Sequence, residues 1–243
     1  MVRGVHQTAA DLTIRYDNEG LGNIEAKSDV GDTILYGEIL GNGGPNAITS
    51  IHGLNGYHPH NHQIDYNTFN KISYISDTLE NNDVLTLEIS YGFDDQRRQT
   101  VLSNNGTPFR TKRFFGEYEE IEEGNSVRAN NYIYAPTGLC AIFEYDKNNP
   151  QMETSTLWHV NTDYLGSIAY MYESGNPSNF KEYSYSAWGI PRNPDDWTQE
   201  PTTELFADRG FTGHEHLSEF GLINMLSVTK SRTLKGVGKR KGV

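Results

Sequence analysis

The stretch Leu85-Thr86-Leu87-Glu88-Ile89-Ser90-Tyr91 alternates apolar and polar residues without a break. Successive side chains of a strand point to opposite faces, so a period of two predicts a β-strand with one buried face. Shorter copies of the pattern occur at Ile64-Asp65-Tyr66-Asn67, Tyr132-Ile133-Tyr134 and Tyr183-Ser184-Tyr185. Turn signals separate them: Asp17-Asn18-Glu19-Gly20, Asn81-Asn82-Asp83, Asn104-Asn105-Gly106, Asn148-Asn149-Pro150 and Ser174-Gly175-Asn176-Pro177. Gly and Asn tolerate positive φ, and the chain holds 24 and 22 of them. No long stretch has apolar residues at helical spacing; the best short helix candidate is Glu215–Phe220. The expectation is an all-β chain of consecutive antiparallel hairpins.

Composition limits the function classes. Of 243 residues, Leu, Ile, Val and Phe make up about 22%, close to the disorder boundary, but 12% are aromatic and 15 are Tyr. Disordered chains are poor in aromatic residues, so a folded chain with a Tyr-rich packing layer is expected. No apolar run reaches the roughly 18 residues of a membrane helix, and Met1 to Leu12 has no stretch of signal-peptide length. One cysteine, Cys140, excludes an internal disulfide and a multi-cysteine zinc site. The formal net charge is −12. Residues 226–243 carry six basic and no acidic side chains and read as a flexible tail, which leaves a net −18 on the body. An acidic body repels phosphate backbones, so nucleic acid is not an expected partner of the body.

Three segments align as a repeat: Ile14-Arg15-Tyr16-Asp17…Gly20, Ile64-Asp65-Tyr66-Asn67 and Ile89-Ser90-Tyr91-Gly92, with a weaker copy at Phe143-Glu144-Tyr145-Asp146. Each reads apolar, spacer, Tyr, polar turn, return strand. Such hairpins cannot bury an aromatic face alone and stack on their neighbours. Tyr16, Tyr66 and Tyr91 are expected at equivalent strand positions.

Tyr16-Asp17-x-x-Gly20 resembles a tyrosine–aspartate (YD) repeat. Asp163-Tyr164-Leu165-Gly166-Ser167 resembles the D-H-L-G-S signature of the RHS repeat-associated core, and Ala187-Trp188-Gly189 with Arg192-Asn193-Pro194 resembles the stretch leading to its end. Arg209-Gly210-Phe211-Thr212-Gly213-His214-Glu215-His216, then Phe220-Gly221-Leu222-Ile223-Asn224-Met225, resembles its terminal signature. The likeness covers roughly residues 10 to 225. It divides the chain into YD-repeat hairpins (1–110), the terminal part of the core (111–225) and the tail (226–243). It implies hairpins wound into a curved, partial β-shell. Its motif residues are structural: Tyr16, Asp17, Gly20, Asp163, Leu165, Gly166, Ser167, Trp188, Gly189, Arg209, Gly210, Thr212, Gly213, His214, Glu215, Gly221, Leu222 and Asn224.

The sequence departs from the pattern. Asn161 and Tyr164 stand where the family usually has His, and only Tyr16-Asp17 keeps an intact YD pair among the early repeats. After Met225 the family continues into paired D-P motifs, which in some members carry an aspartate-dependent self-cleavage; here Leu226-Ser227-Val228-Thr229-Lys230 follows. Neither self-cleavage nor enclosure of a cargo is expected of this chain.

Candidate chemistry is sparse. His58, His60 and His62 alternate and would share one face of a strand as metal ligands, but Pro59 argues against a regular central strand, and a polar loop is the simpler reading. His159, Asp163 and Ser167 supply triad residue types, but no nucleophile elbow surrounds Ser167. Cys140 sits in an apolar run, as buried structural thiols do, and Asp195-Asp196 reads as a solvated pair. No catalytic residue, metal or cofactor is assigned.

The resemblance implies a non-catalytic shell piece of a polymorphic-toxin-type protein, which encapsulates or delivers a C-terminal effector in interbacterial competition, exported or displayed at the cell surface. Its partners would be that toxin, a longer RHS protein, or further copies of itself. The alternative is a cell-surface adhesion module for glycan or protein, which requires an exposed, contiguous Tyr patch. Deleting residues 226–243 is expected to change unfolding stability by no more than about 0.5 kcal/mol; a loss above about 2 kcal/mol in urea denaturation would show a docked tail.

Overall fold

The computed structural model describes residues 13–17, 22–28, 30–37, 43–53, 60–79, 81–148, 154–197 and 203–224. Gly20, His58, Met225 and the 226–243 tail lie outside these residues, as does the side chain of His60. Strands β1 (Ile14–Tyr16) and β2 (Ile24–Lys27) form a hairpin. A 13-stranded antiparallel sheet follows in simple sequence order. It comprises β3 (Thr33–Tyr36), β4 (Ile48–Gly53), β5 (His60–Tyr66), β6 (Ile72–Thr78), β7 (Val84–Tyr91), β8 (Arg97–Asn104), β9 (Thr107–Phe115), β10 (Tyr118–Glu123), β11 (Ser126–Ala135), β12 (Gly138–Asp146), β13 (Thr154–Thr162), β14 (Ile168–Glu173) and β15 (Asn176–Glu182). Two small hairpins complete the chain: β16 (Ser184–Tyr185) with β17 (Pro191–Arg192), and β18 (Glu215–Leu217) with β19 (Leu222–Asn224).

Each strand pairs with the next, so the all-β meander of hairpins is present. The sheet is open, with β3 and β15 at its edges, and it is not strongly curled. It runs unbroken through β9, which spans the sequence division at residue 110. No α-helix occurs among the described residues, and no helix is long and apolar enough to cross a membrane. The helix expected over Glu215–Phe220 is instead strand β18 followed by a single 3₁₀ turn, Ser218–Phe220. Leu217 and Phe220 imitate helical spacing, but Gly221 at φ 60° turns the chain back to pair β19 with β18.

The tyrosines obey one rule. Tyr16, Tyr66 and Tyr91 are each the last residue of their strand, and the register shifts immediately before each of them. Tyr36, which the sequence comparison of repeats passed over, does the same at the end of β3. The hydroxyl of Tyr36 donates to the Ile24 carbonyl (2.9 Å), Tyr66 to Ile48 (2.8 Å) and Tyr91 to Ile72 (2.7 Å). Each acceptor is the first residue of the preceding strand, and Ile24, Ile48 and Ile72 face Tyr16, Tyr36 and Tyr66 across the ladder. A staircase of alternating Tyr and Ile thus climbs one end of the sheet, closing the carbonyls that the bulges release. The step recurs at Tyr185, whose hydroxyl donates to Ile168 (3.0 Å). Tyr145 does not join it: this weaker copy lies within β12, its ring edge-on to Phe143 at 4.6 Å.

The turns beside the staircase are also shared. In Asn67–Lys71, Gly92–Gln96, Asp163–Ser167 and Ser186–Ile190, the first N–H donates to the fifth carbonyl and the fourth N–H to the first carbonyl. The fourth residue has positive φ in all four: Asn70 58°, Asp95 58°, Gly166 88°, Gly189 84°. This is a type I turn ending in a left-handed residue. Side chains brace it from position one: Asn67 Oδ1 accepts from Phe69 and Lys71, Asp163 Oδ1 from Leu165 and Ser167, and Ser186 Oγ from Trp188 and Ile190. The Asp163-Tyr-Leu-Gly-Ser and Ala-Trp-Gly motifs are therefore the same physical loop.

One face of the sheet is covered and the other is open. On the covered face, Ile64, Ile75, Leu85, Leu87, Ile89 and Leu102 form an apolar cluster with Leu217 and Phe220. A second cluster joins Tyr132, Ile142, Trp158, Val160, Ile168 and Met171 to Tyr183 and Ala207. Residues 203–224 thus form a strap that lies across the strands. Tyr66→Phe and Tyr91→Phe are each expected to cost about 0.5–1.5 kcal/mol in urea denaturation, the net worth of one hydrogen bond. Tyr172→Phe on the open face should stay within about 0.5 kcal/mol.

Candidate functional site

Between the two apolar clusters the covered face becomes ionic. Alternation along β9 points Arg110, Lys112 and Phe114 inward, and along β10 Glu119 and Ile121. The strap sets charges opposite them. Lys112 Nζ, with a side chain only 6% exposed, lies 2.5 Å from Asp208 Oδ2 and 2.8 Å from Glu215 Oε1. Arg97 pairs with the second oxygen of Glu215, and Arg110 pairs with Glu219. Arg209 stacks over the Tyr132 ring at 4.5 Å, with its guanidinium 3.8 Å from Glu119. Glu119 accepts from Tyr132 (2.5 Å) and Asn130 (3.2 Å).

Burial raises the Glu215 pKa, but Lys112, Arg97 and Arg209 outweigh it and hold the carboxyl well below the usual range. Burial lowers Lys112, and Glu215, Asp208 and Glu119 reverse that and keep its ammonium charged. Burial raises the Tyr132 phenol, and neighbouring Glu119 pushes it further. At neutral pH Glu215 therefore stays an anion and Lys112 a cation.

The remaining motif residues seat the strap. The Ile168 N–H donates to the Gly210 carbonyl (3.1 Å), and the Gly210 N–H to the His214 carbonyl (3.1 Å). A Cβ on Gly210 would lie 2.7 Å from the Tyr185 hydroxyl and 2.9 Å from His216 Nε2, so the backbone fits only without one. Thr212 N–H donates to Ser167 Oγ (3.1 Å), and Thr212 Oγ1 meets His214 Nδ1 at 2.7 Å. His216 Nε2 accepts from the Phe211 N–H (3.0 Å). At Gly189 a Cβ would strike Phe211 and Ile223. Trp188, beside it, lies under the Lys27 ammonium of β2 (4.6 Å), which ties the first hairpin to this loop. Tyr16 and Leu165 are exposed, and Leu222 packs against the first cluster.

The triad residue types are not assembled. His159 lies on the open face, stacked on Tyr172 at 5.0 Å, Asp163 braces its own turn, and Ser167 is buried against Thr212. His62 is 1% exposed beside Asp77 (3.4 Å) and next to the Phe220 ring. Among the described residues no group of three His, Cys, Asp or Glu is placed to hold a metal. Cys140 is half-buried, and its thiol meets the Ile133 carbonyl. The sequence reading missed Arg97, Arg110, Lys112 and Glu119. For Arg110, Lys112 and Glu119 a signal was present, charges at alternate positions of β9 and β10 where apolar side chains would be expected, though not for which residues they pair with; Arg97 lies in β8.

No family model and no curated protein matches the chain.

Removing one partner of a buried ion pair strands the other. Glu215→Gln is therefore expected to cost about 3–5 kcal/mol in urea denaturation, and Glu25→Gln, in the exposed Arg15–Glu25 pair, about 1 kcal/mol or less. Because the folded Glu215 pKa is depressed, its contribution is complete above the ordinary carboxylate range and is lost as pH falls below about 4.5, and the variant lacks that loss.

Proposed function

We propose that the chain is a structural wall element of the RHS/YD-repeat type and carries no catalytic site of its own. One observation carries the reading: the motifs that resemble the family serve the fold. The Tyr positions build the staircase, Asp163 and Gly189 build the turns, and the Arg209–His216 run locks the strap. Strands 4.7–4.9 Å apart give the 13-stranded sheet a contour width of about 60 Å, the scale of a wall segment. In a shell, further winding of such hairpins would continue the sheet and bury its edges. The partners of this reading are a C-terminal effector, a longer protein of the same type, or another copy. The strap carboxylates Asp208, Glu215 and Glu219 are engaged by Lys112, Arg97 and Arg110, which argues against their use in peptide cleavage. Incubated at neutral pH, the purified protein is expected to keep one intact mass and to associate with rising concentration by light scattering. A discrete cleavage product would overturn the non-catalytic reading, and a strict monomer at high concentration would overturn the assembly reading.

A second reading, an adhesion surface, rests on the open face. Tyr170 stacks on Phe180 (5.5 Å), Tyr172 on His159 (5.0 Å), and Phe143 meets Tyr145. These side chains are half-buried or exposed. Aromatic faces of this kind suit the apolar faces of sugars. Glycan-array binding that is lost in Tyr170→Ala, with unchanged stability, would favour it over the wall reading; an array without binding would remove it.

A further inference from the structure

We propose that the strap is an acid-released clasp: protonation of His216 at mildly acidic pH lifts residues 205–224 from the covered face while the sheet beneath stays folded. His216 is 5% exposed and sits in β18, the innermost part of the strap. Its Nε2 lone pair is occupied by the Phe211 N–H, the bond that folds the strap back on itself. A proton on that nitrogen places two donors face to face and ends the bond. The site is too tight to let the ring turn away, since Gly210 and the Tyr185 ring close over it.

The charges around the imidazole come from every element packed there. From the strap itself, Asp208 and Glu215 favour the imidazolium and His214 opposes it. From β9, Lys112 and Arg110 line the same recess, with Glu219 beside them, and from β8 Arg97 holds Glu215. Both carboxylates nearest the ring are already paired with cations, so neither can stabilise a new one without giving up its partner. Burial therefore dominates and pulls the His216 pKa down to about 4. A depressed histidine pKa means the released state binds more protons between pH 6.5 and about 4. Stability of the closed strap is complete above 6.5, falls through that window, and levels off below it. Full coupling gives up to tenfold more released strap per pH unit. Strands β7, β8 and β11–β14 are held by backbone bonds and apolar packing, whereas β5 and β6 bury His62 beside Asp77 (3.4 Å) and next to Phe220 of the strap, so a His216 variant is needed to tell the two histidines apart. Opening would uncover the two apolar clusters.

Amide hydrogen exchange on the full chain, read by peptide mass spectrometry at pH 7.5, 5.5 and 4.5, tests this after correction for intrinsic exchange rates. Peptides from 205–224 should lose protection tenfold or more between pH 7.5 and 4.5, with protection in β7 and β12 retained and dye binding to apolar surface rising in step. His216→Gln, whose side-chain oxygen still accepts from Phe211 but does not titrate, should make strap exchange flat across that window. Equal pH dependence in wild type and variant, or loss of strap and sheet protection together, overturns the proposal. If the variant does not fold, the histidine ring titrations of the wild type by NMR decide it. The His216 ring titrating near 4 in step with strap opening supports the clasp; opening that tracks His62 or no histidine overturns it.

Discussion

Glu215 stands where the two layers of the protein meet. Its two oxygens are engaged by Lys112 of β9 and Arg97 of β8, so one carboxylate fixes the strap to two strands at once. Charges this deeply buried are costly unless paired. The pairing here is specific in register: a one-residue slip in β9 would turn Arg110 and Lys112 to solvent and leave Glu215 and Asp208 against Thr111 and Arg113. Apolar packing on either side supplies attraction with little preference for position. The ionic seam between the clusters supplies the position.

The staircase of Tyr and Ile does the equivalent task within the sheet. Each bulge breaks the ladder at the end of a strand, and each tyrosine hydroxyl mends it from the next hairpin but one strand away. The repeat unit is therefore a pair of strands that depends on the pair before it. The step is therefore made alike by Tyr66-Asn67 and Tyr91-Gly92. The second position needs only to begin a tight turn, and Asn67, Asp163 and Ser186 brace it from the side chain while Gly92 opens it without such help.

Much of this was legible in the sequence because it is local. Alternation at Leu85–Tyr91 and the Asn- and Gly-rich turns disclosed the hairpins, and equal placement of Tyr16, Tyr66 and Tyr91 followed from their neighbours. Tyr36 escaped notice because Ile34-Leu35-Tyr36-Gly37 lacks the polar spacer that the other copies share. The partners of Glu215 were not legible at all: Lys112 and Arg97 lie more than a hundred residues upstream, and nothing in a single sequence links them to it. The false helix at Glu215–Phe220 has the same origin, since what decides it is the hairpin with β19 and the sheet beneath.

That separation along the chain also sets an order of events. Every pairing within the large sheet joins neighbouring strands, so each hairpin can close as soon as its own residues leave the ribosome. The strap contacts span far greater distances, 109 residues from Arg110 to Glu219 and 96 from Lys112 to Asp208. Loops of that length close late. During synthesis the sheet must therefore wait with its aliphatic face bare until the final part of the strap emerges. A nascent chain stalled before the strap emerges would display that face to chaperones and to other nascent chains.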